Sequence, residues 1–244
     1  HIKLTLKKYA WKEYLHFLLN GFLEAFRLLF SGDEETYSAI RATLYTSSVS
    51  IFFAILVGFP LGFTLGFYDF KGRRILRLLS DTALAMPTVA IGLILYAFIT
   101  RNGPFGEFGL LFTLKAVMLG QFVLALPIII SLSASVVENM DKKHYLTILN
   151  LRLSAPRLVG CVLYELRYAL MVVVATAYGR IVAEVGVAMM IGGNIKYFTR
   201  TITTAVSLET NKGEFAMGIA LALVLIFIAF AVNLAIHALK RLDK

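Results

Sequence analysis

Long uncharged apolar runs alternate with short charged links along this chain. Residues 42–68 carry no charge and exceed the roughly 20 apolar residues that a crossing helix needs. They read as the first span. Residues 82–100, 116–137, a stretch beginning near Tyr164, and 215–239 read as four more. Gly58, Gly62 and Gly66 repeat every four residues in the first span, a spacing that lets another helix approach closely. Pro60 loosens that helix, Pro87 stands near the start of the second span, and Pro127 lies inside the third. Before residue 42 the pattern differs. Leu15, Leu18, Leu19, Phe22, Phe26 and Leu29 alternate with His16, Asn20, Glu24 and Arg27, and the uncharged piece stops at Leu23. Residues 14–30 therefore read as an amphipathic helix in the membrane interface. Lys3, Lys7, Lys8 and Lys12 favour an actual crossing instead, because such a cluster prefers the cytoplasm. Both readings stay open. Residues 31–35 (Ser-Gly-Asp-Glu-Glu) form a polar turn and helix start.

Composition agrees. The 244 residues are 59% hydrophobic and 16% charged, and the mean hydropathy is +0.77. Soluble domains are about 45–50% apolar. The fold class is all-α: a polytopic helical membrane protein with five core transmembrane helices plus an N-terminal amphipathic helix. Residues 1–41 form the N-terminal extension, and 42–240 form the membrane domain. The net charge of +9 does not point to nucleic acid, since the basic residues sit at span ends. The links at 69–81 and 138–167 and the C-terminal tail hold most of the Lys and Arg, including Lys71, Arg73, Arg74, Arg77, Lys142, Lys143, Arg152 and Arg157. These segments are expected in the cytoplasm, with the C-terminus inside and Ala42 outside. The single Cys161 excludes an internal disulfide and a multi-cysteine metal site. No cleavable signal peptide is evident, and no internal repeat.

Arg180 and Glu184 fall within the apolar stretch of the fourth span. They are four apart and opposite in sign, so they share a helical face. An unpaired charge in hydrocarbon costs several kcal/mol or more, so the pair must meet protein or water. It reads as a gate or path element, or as a structural ion pair. Met190 follows, and then Gly192, Gly193 and Asn194, a run that breaks a helix and lets backbone N–H groups face an anion. Thr199, Thr201, Thr203, Thr204, Ser207 and Thr210 come next, beside Lys196 and Arg200. Such hydroxyls can replace the hydration of an oxyanion. They equally suit a wet extracellular loop whose threonines satisfy their own backbone. Enzyme signatures are absent: there is no HExxH, no GxSxG and no Gly-rich loop ending in Lys-Ser/Thr. His1, His16, His144 and His237 make no metal spacing. The chain carries no ATP site, so any ATP-driven process needs a second polypeptide.

The link at 138–163 is too apolar for a plain solvated loop. Tyr145, Ile148, Leu149 and Arg152 recur at helical spacing and build an oily face. An apolar surface held in water normally meets a partner. The alternative is a connection packed on its own membrane domain.

Three segments carry a resemblance. Leu151-Arg152-Leu153-Ser154-Ala155-Pro156-Arg157-Leu158 resembles the cytoplasmic EAA loop of type I ABC importer permeases. Met86-Pro87-Thr88-Val89-Ala90-Ile91-Gly92-Leu93 resembles the proline-containing start of their second core span. Residues 179–195 (Gly-Arg-Ile-Val-Ala-Glu-Val-Gly-Val-Ala-Met-Met-Ile-Gly-Gly-Asn-Ile) resemble a segment of the oxyanion permeases, and 197–210 resemble the tungstate members of that molybdate/tungstate/sulfate-like branch. The resemblance covers about 25–240. Two departures stand out: Ser154 occupies the central glycine position of the EAA loop, and Ile148-Leu149-Asn150 replaces its leading Glu-Ala-Ala.

The resemblance implies a MetI-like permease subunit of an ATP-driven importer in the cell membrane, working as a homodimer. It implies a dimer of ABC ATPase subunits that holds ATP and magnesium, so that this chain binds no cofactor of its own. It also implies an extracytoplasmic oxyanion-binding protein that delivers substrate. Tyr145, Ile148, Leu149, Arg152, Leu153, Ser154, Ala155, Pro156 and Arg157 would contact the ATPase. Arg180, Glu184, Met190, Gly192, Gly193, Asn194, Thr199, Thr201 and Thr203 would line or gate the path. The competing readings are a secondary transporter driven by an ion gradient, with Glu184 as proton carrier, and a membrane scaffold without transport.

Overall fold

The computed structural model of the protein describes residues 26–141 and 154–242, together with 19, 22 and 23. Among the described residues every regular element is helical. The first, α1 (Glu34–Phe67), starts before the uncharged run because its cap lies there: the Asp33 carboxylate accepts from the Thr36 amide at 2.8 Å and the Thr36 hydroxyl at 2.7 Å. Glu34 and Glu35 then face the positive end of the helix dipole. Its 34 residues rise about 50 Å, more than the bilayer core of about 30 Å, so α1 projects beyond the apolar layer or tilts within it.

The expected second span, 82–100, is not one straight helix. It is divided between α2 (Arg73–Leu84) and α3 (Thr88–Ile99), which meet at 102°. Pro87 is the cause, since the residue before a proline is pushed out of the helical region. The two arms together are long and apolar enough for one broken span or a re-entrant loop. A 3₁₀ turn at Gly106–Phe108 leads to α4 (Leu114–Glu138), capped by the Thr113 hydroxyl, which accepts from the Ala116 amide at 3.3 Å. Next come α5 (Ala155–Glu165) and α6 (Arg167–Val182), a second pair, bent by 75°. The short α7 (Gly186–Gly192), α8 (Ile202–Lys212) and α9 (Phe215–Leu242) complete the described chain. Among the described residues helices α1, α4 and α9 are long and apolar enough to cross a membrane, and the number is five if each bent pair is one span. The protein is a multi-pass membrane protein. Most of the N-terminal amphipathic stretch lies outside the described residues; 26–30 within it are helical.

Helices α1 and α4 run parallel and form the spine. A Cβ at Gly58 would come within 2.6 Å of Ile129, and one at Gly66 within 2.6 Å of the Ala134 carbonyl; Gly62 faces Ser133 and the Ile130 carbonyl. The every-fourth glycine row is thus the contact surface itself, as its spacing implied. The main core gathers Ile51, Ala54, Ala125, Ile129, Val173, Ile181 and Ile191 around this seam. At the end where α1 and α4 finish, Phe63, Val137 and Val162 bury together, which seats α5 on both helices. This is the basic end. Helix α9 sets out from the opposite end beside α8 and presents Ile226, Phe227, Phe230 and Leu234 outward, a surface suited to lipid or a neighbouring chain.

Candidate functional site

Helix α6 ends at Val182, so the apolar stretch expected to contain both charges does not continue as one helix. Arg180 lies in its last turn and Glu184 just beyond it. They still pair, with Arg180 Nη1 3.1 Å from Glu184 Oε2. The other carboxylate oxygen accepts from the Val187 amide at 3.2 Å, which fixes the turn into α7. The two partners are unequal. The Glu184 side chain is 3% exposed, while that of Arg180 is 52% exposed.

Depth follows from the neighbours. Arg180 lines a hollow of about 20 Å³ with Met86, Thr88, Leu124 and Ile128, enough for about one water. Leu124 and Ile128 are central in α4. The pair therefore sits level with the middle of α4, where α2 ends, α3 begins, α6 ends and α7 begins. Broken helices at that depth leave backbone groups without helical partners, and these are tolerated only against protein or water. A guanidinium half-open at that depth does not face hydrocarbon.

Two of the three segments singled out by resemblance, 86–93 and 179–195, converge here. A Cβ at Gly92 would lie 3.2 Å from both Met190 and Val187, and one at Gly186 would lie 2.9 Å from Val89 and 3.1 Å from Thr88. Met190 thus packs on α3. Thr203 donates its hydroxyl to the Glu184 carbonyl at 2.7 Å, linking the hydroxyl-rich stretch to the pair. That stretch is not a wet loop. Thr199, Thr201, Thr203 and Thr204 are buried. Thr199 donates to the Gly192 carbonyl at 2.5 Å and accepts from the Ile195 amide at 3.0 Å. Thr201 and Thr204 close a capping box that starts α8, and the Ile202 amide donates to Thr43 of α1 at 2.8 Å. Gly193 and Asn194 hold left-handed backbone, φ 71° and 50°. The Asn194 amide donates to the Thr204 carbonyl at 3.4 Å, and its Oδ1 is buried without a partner.

Two clusters had escaped the sequence reading. At the end of the chain opposite the basic one, buried Arg200 joins Glu35 at the head of α1 to Glu209 of α8, 3.6 Å away. Lys196 reaches Glu35 at 2.5 Å and Lys212 reaches Glu209 at 3.1 Å. The hydrogen bond to Glu35 raises the Lys196 pKa above its usual 10.5. Its contribution is thus complete below that value and lost only as pH rises through the raised one. At the basic end, Glu138 is gripped by Arg73 at 2.8 Å and Arg77 at 3.6 Å. Arg73 also donates to the Leu65 carbonyl at 2.7 Å, and Arg77 donates to the Ser131 carbonyl at 2.8 Å and the Ser135 hydroxyl at 2.5 Å. These arginines had read only as markers of orientation. Asp69 and Asp81, four residues before Arg73 and after Arg77, were the available signal.

Of the proposed ATPase-contact residues, Tyr145, Ile148, Leu149, Arg152 and Leu153 lie outside the described residues. Ser154 precedes α5, Ala155 and Pro156 open it, and Arg157 is exposed. They stand at the basic end, apart from the Arg180 cluster. No group of His, Cys, Asp and Glu among the described residues could hold a metal ion.

Residues 58–242 match the family model for the inner membrane component of binding-protein-dependent transport systems. The chain is 63% identical over 240 residues to a tungstate uptake system permease protein of Campylobacter jejuni, covering 98% of this chain and 99% of the relative. It is 32% identical over 226 residues to the protein of the same description from Peptoclostridium acidaminophilum, covering 93% and 99%. Among solved structures, an inward-facing methionine ABC transporter chain superposes with a TM-score of 0.63 at 16% identity, covering 84% of this chain and 96% of that one.

Proposed function

From the premise that the chain belongs to the inner membrane components of binding-protein-dependent transport systems, we propose that it is the pore-forming permease of an ATP-driven importer for tungstate or a closely related tetrahedral oxyanion. The observation that carries this reading is the 63% identity, over nearly the whole of both chains, to a tungstate uptake permease. The chain is a permease subunit, and ATP hydrolysis belongs to a separate ATPase.

Two copies enclose the path, an ATPase dimer engages 145–157 from the cytoplasm, and a binding protein delivers the anion to the other side. The basic end and the C-terminus are cytoplasmic, in keeping with the Lys and Arg distribution. Arg180 is the charged element of the path. Its half-open guanidinium meets the passing dianion, while Glu184 neutralises it when the path is empty. Gly192, Gly193 and Asn194 shape the turn above it. Met190, Thr199, Thr201 and Thr203 hold the wall, their hydroxyls engaged within the chain. ATP-driven closure of the ATPase dimer moves the attached loops, and the bent helix pairs rock between inward-open and outward-open arrangements.

The test is uptake of labelled tungstate into vesicles containing this chain, its ATPase and its binding protein. Accumulation that needs ATP and survives an uncoupler supports the reading. Accumulation that persists without ATP and collapses with an uncoupler replaces it with an ion-driven carrier using Glu184. No accumulation under either condition leaves the scaffold reading.

A further inference from the structure

The bend at Pro87 has its breaker in the sequence. The 75° bend between α5 and α6 has none. Residues 163–169 read Leu-Tyr-Glu-Leu-Arg-Tyr-Ala, without Pro or Gly, and Leu, Glu, Arg and Ala are good helix formers. A kink without those breakers is normally made by a group inserted into the backbone ladder. The ladder passes the corner at Leu166, whose amide donates to the Val162 carbonyl and whose carbonyl accepts from the Leu170 amide, both at 2.9 Å. The insertion lies beside it. A continuous helix bonds the carbonyl of residue 164 to the amide of residue 168. Here the Tyr164 carbonyl accepts from Arg167 Nη1 at 2.7 Å.

The same guanidinium lies over two rings, one from each arm. Its carbon stands 4.3 Å from the centre of the Tyr164 ring and 4.4 Å from that of Tyr168. A cation over an aromatic face is attracted by the ring quadrupole. Arg167 thus holds a carbonyl and a ring of α5 together with a ring of α6. Tyr164 is 69% exposed, so core packing does not account for this arrangement. The position of the corner gives it a use. Helix α5 opens with Ala155, Pro156 and Arg157, assigned above to the ATPase contact. Helix α6 carries Arg180 in its last turn, a rise of about 20 Å from Arg167. A displacement of α5 reaches Arg180 undiminished only when the angle between the arms is kept.

We propose that Arg167 is a positioning residue for transport: it locks the corner between α5 and α6, so that both arms turn as one lever from the ATPase contact to Arg180. The lever rests on the importer reading given above, whereas the lock rests on the corner alone.

The test uses vesicles containing this chain, its ATPase and its binding protein, with tungstate uptake and ATP hydrolysis measured together. Arg167→Ala should lower uptake per ATP about fivefold, while the ATPase still co-purifies and hydrolyses ATP. Tyr164→Ala should act in the same direction, and Tyr164→Phe, which keeps the ring face, should restore coupling. Because Tyr164 is exposed, Tyr164→Ala tests the same contact should Arg167→Ala fail to fold. A second measurement reads the angle directly. Spin labels at Gly160→Cys and Thr176→Cys, in a Cys161→Ser background, flank the corner. Their separation should stay narrow and unchanged between nucleotide-free and ATP-trapped complexes, and broaden with Arg167→Ala. A separation that shifts on ATP trapping in the unaltered complex overturns the proposal, since the corner would then be a hinge. So does Arg167→Ala with a narrow separation, or with full uptake per ATP. Uptake by the unaltered complex that needs no ATP removes the importer reading and the lever with it, and the label separation then shows separately whether the lock exists.

Discussion

Removing the guanidinium at Arg180 leaves the Glu184 carboxylate buried, with the Val187 amide as its remaining partner. Breaking one side of a buried ion pair costs about 3–5 kcal/mol, and the half-exposure of Arg180 reduces this to about 1–3 kcal/mol. Arg180→Ala should therefore destabilise the purified protein more than Arg180→Ala with Glu184→Ala. A double-mutant cycle on thermal unfolding reads the coupling, and purely additive losses count against direct pairing. Transport separates differently: both variants should lower uptake about tenfold or more, because the path loses its cation in each. The pairing was legible from the sequence, since opposite charges four apart meet on a helix. Its setting was not. The helix ends at Val182 because Glu184 caps the next turn, and that depends on α3 packing against Gly186. The threonines show the same gap. Their number was visible, but a hydroxyl-rich stretch reads alike whether water or buried carbonyls such as those of Gly192 and Glu184 receive it.

At the scale of elements, the α1–α4 seam has no room for side chains. A Cβ at Gly66 meets the backbone oxygen of Ala134 at 2.6 Å, and backbone does not give way as a side chain does. Gly66→Ala should cost about 1–3 kcal/mol, measured by unfolding in detergent, whereas Gly160→Ala, with nothing within 4 Å, should be nearly neutral. The Glu138 clamp acts between elements. It ends α4 just before the loop assigned to the ATPase, and it ties that end to α2, whose far end reaches the Pro87 bend. Glu138→Gln should leave ATP hydrolysis near normal while uptake per ATP falls severalfold, and hydrogen exchange along α2 should quicken. Unchanged uptake per ATP would show that α2 carries no motion. The seam was legible because glycine spacing encodes it. The clamp was not, because Glu138 meets its arginines only once α2 folds back along α4.

For the whole molecule, the far ends are tied as firmly as the near ones. Arg200 lies buried between Glu35 and Glu209, with its Nε unbonded. Glu35→Gln should lower stability by about 1–3 kcal/mol and loosen α8 from α1, seen as faster exchange at 202–212. Assembly supplies the remaining check. Ala155→Asp and Arg157→Glu should each reduce co-purification of the ATPase while the membrane domain stays folded. Retained ATPase with both changes would place the contact elsewhere. Fold class and the long apolar helices were legible because apolar runs announce spans directly. The two bends were not, since hydropathy averages over a kink.

The bend at Pro87 also bears on how the protein is made. Helix α3 has 12 residues, a rise of about 18 Å, too short to cross a bilayer unaided. As the chain leaves the ribosome, that segment has no stable lodging until α4 arrives to hold it. A chain truncated at Thr113 should leave single cysteines placed in 88–99 open to a water-soluble thiol reagent, and one truncated at Glu138 should shield them.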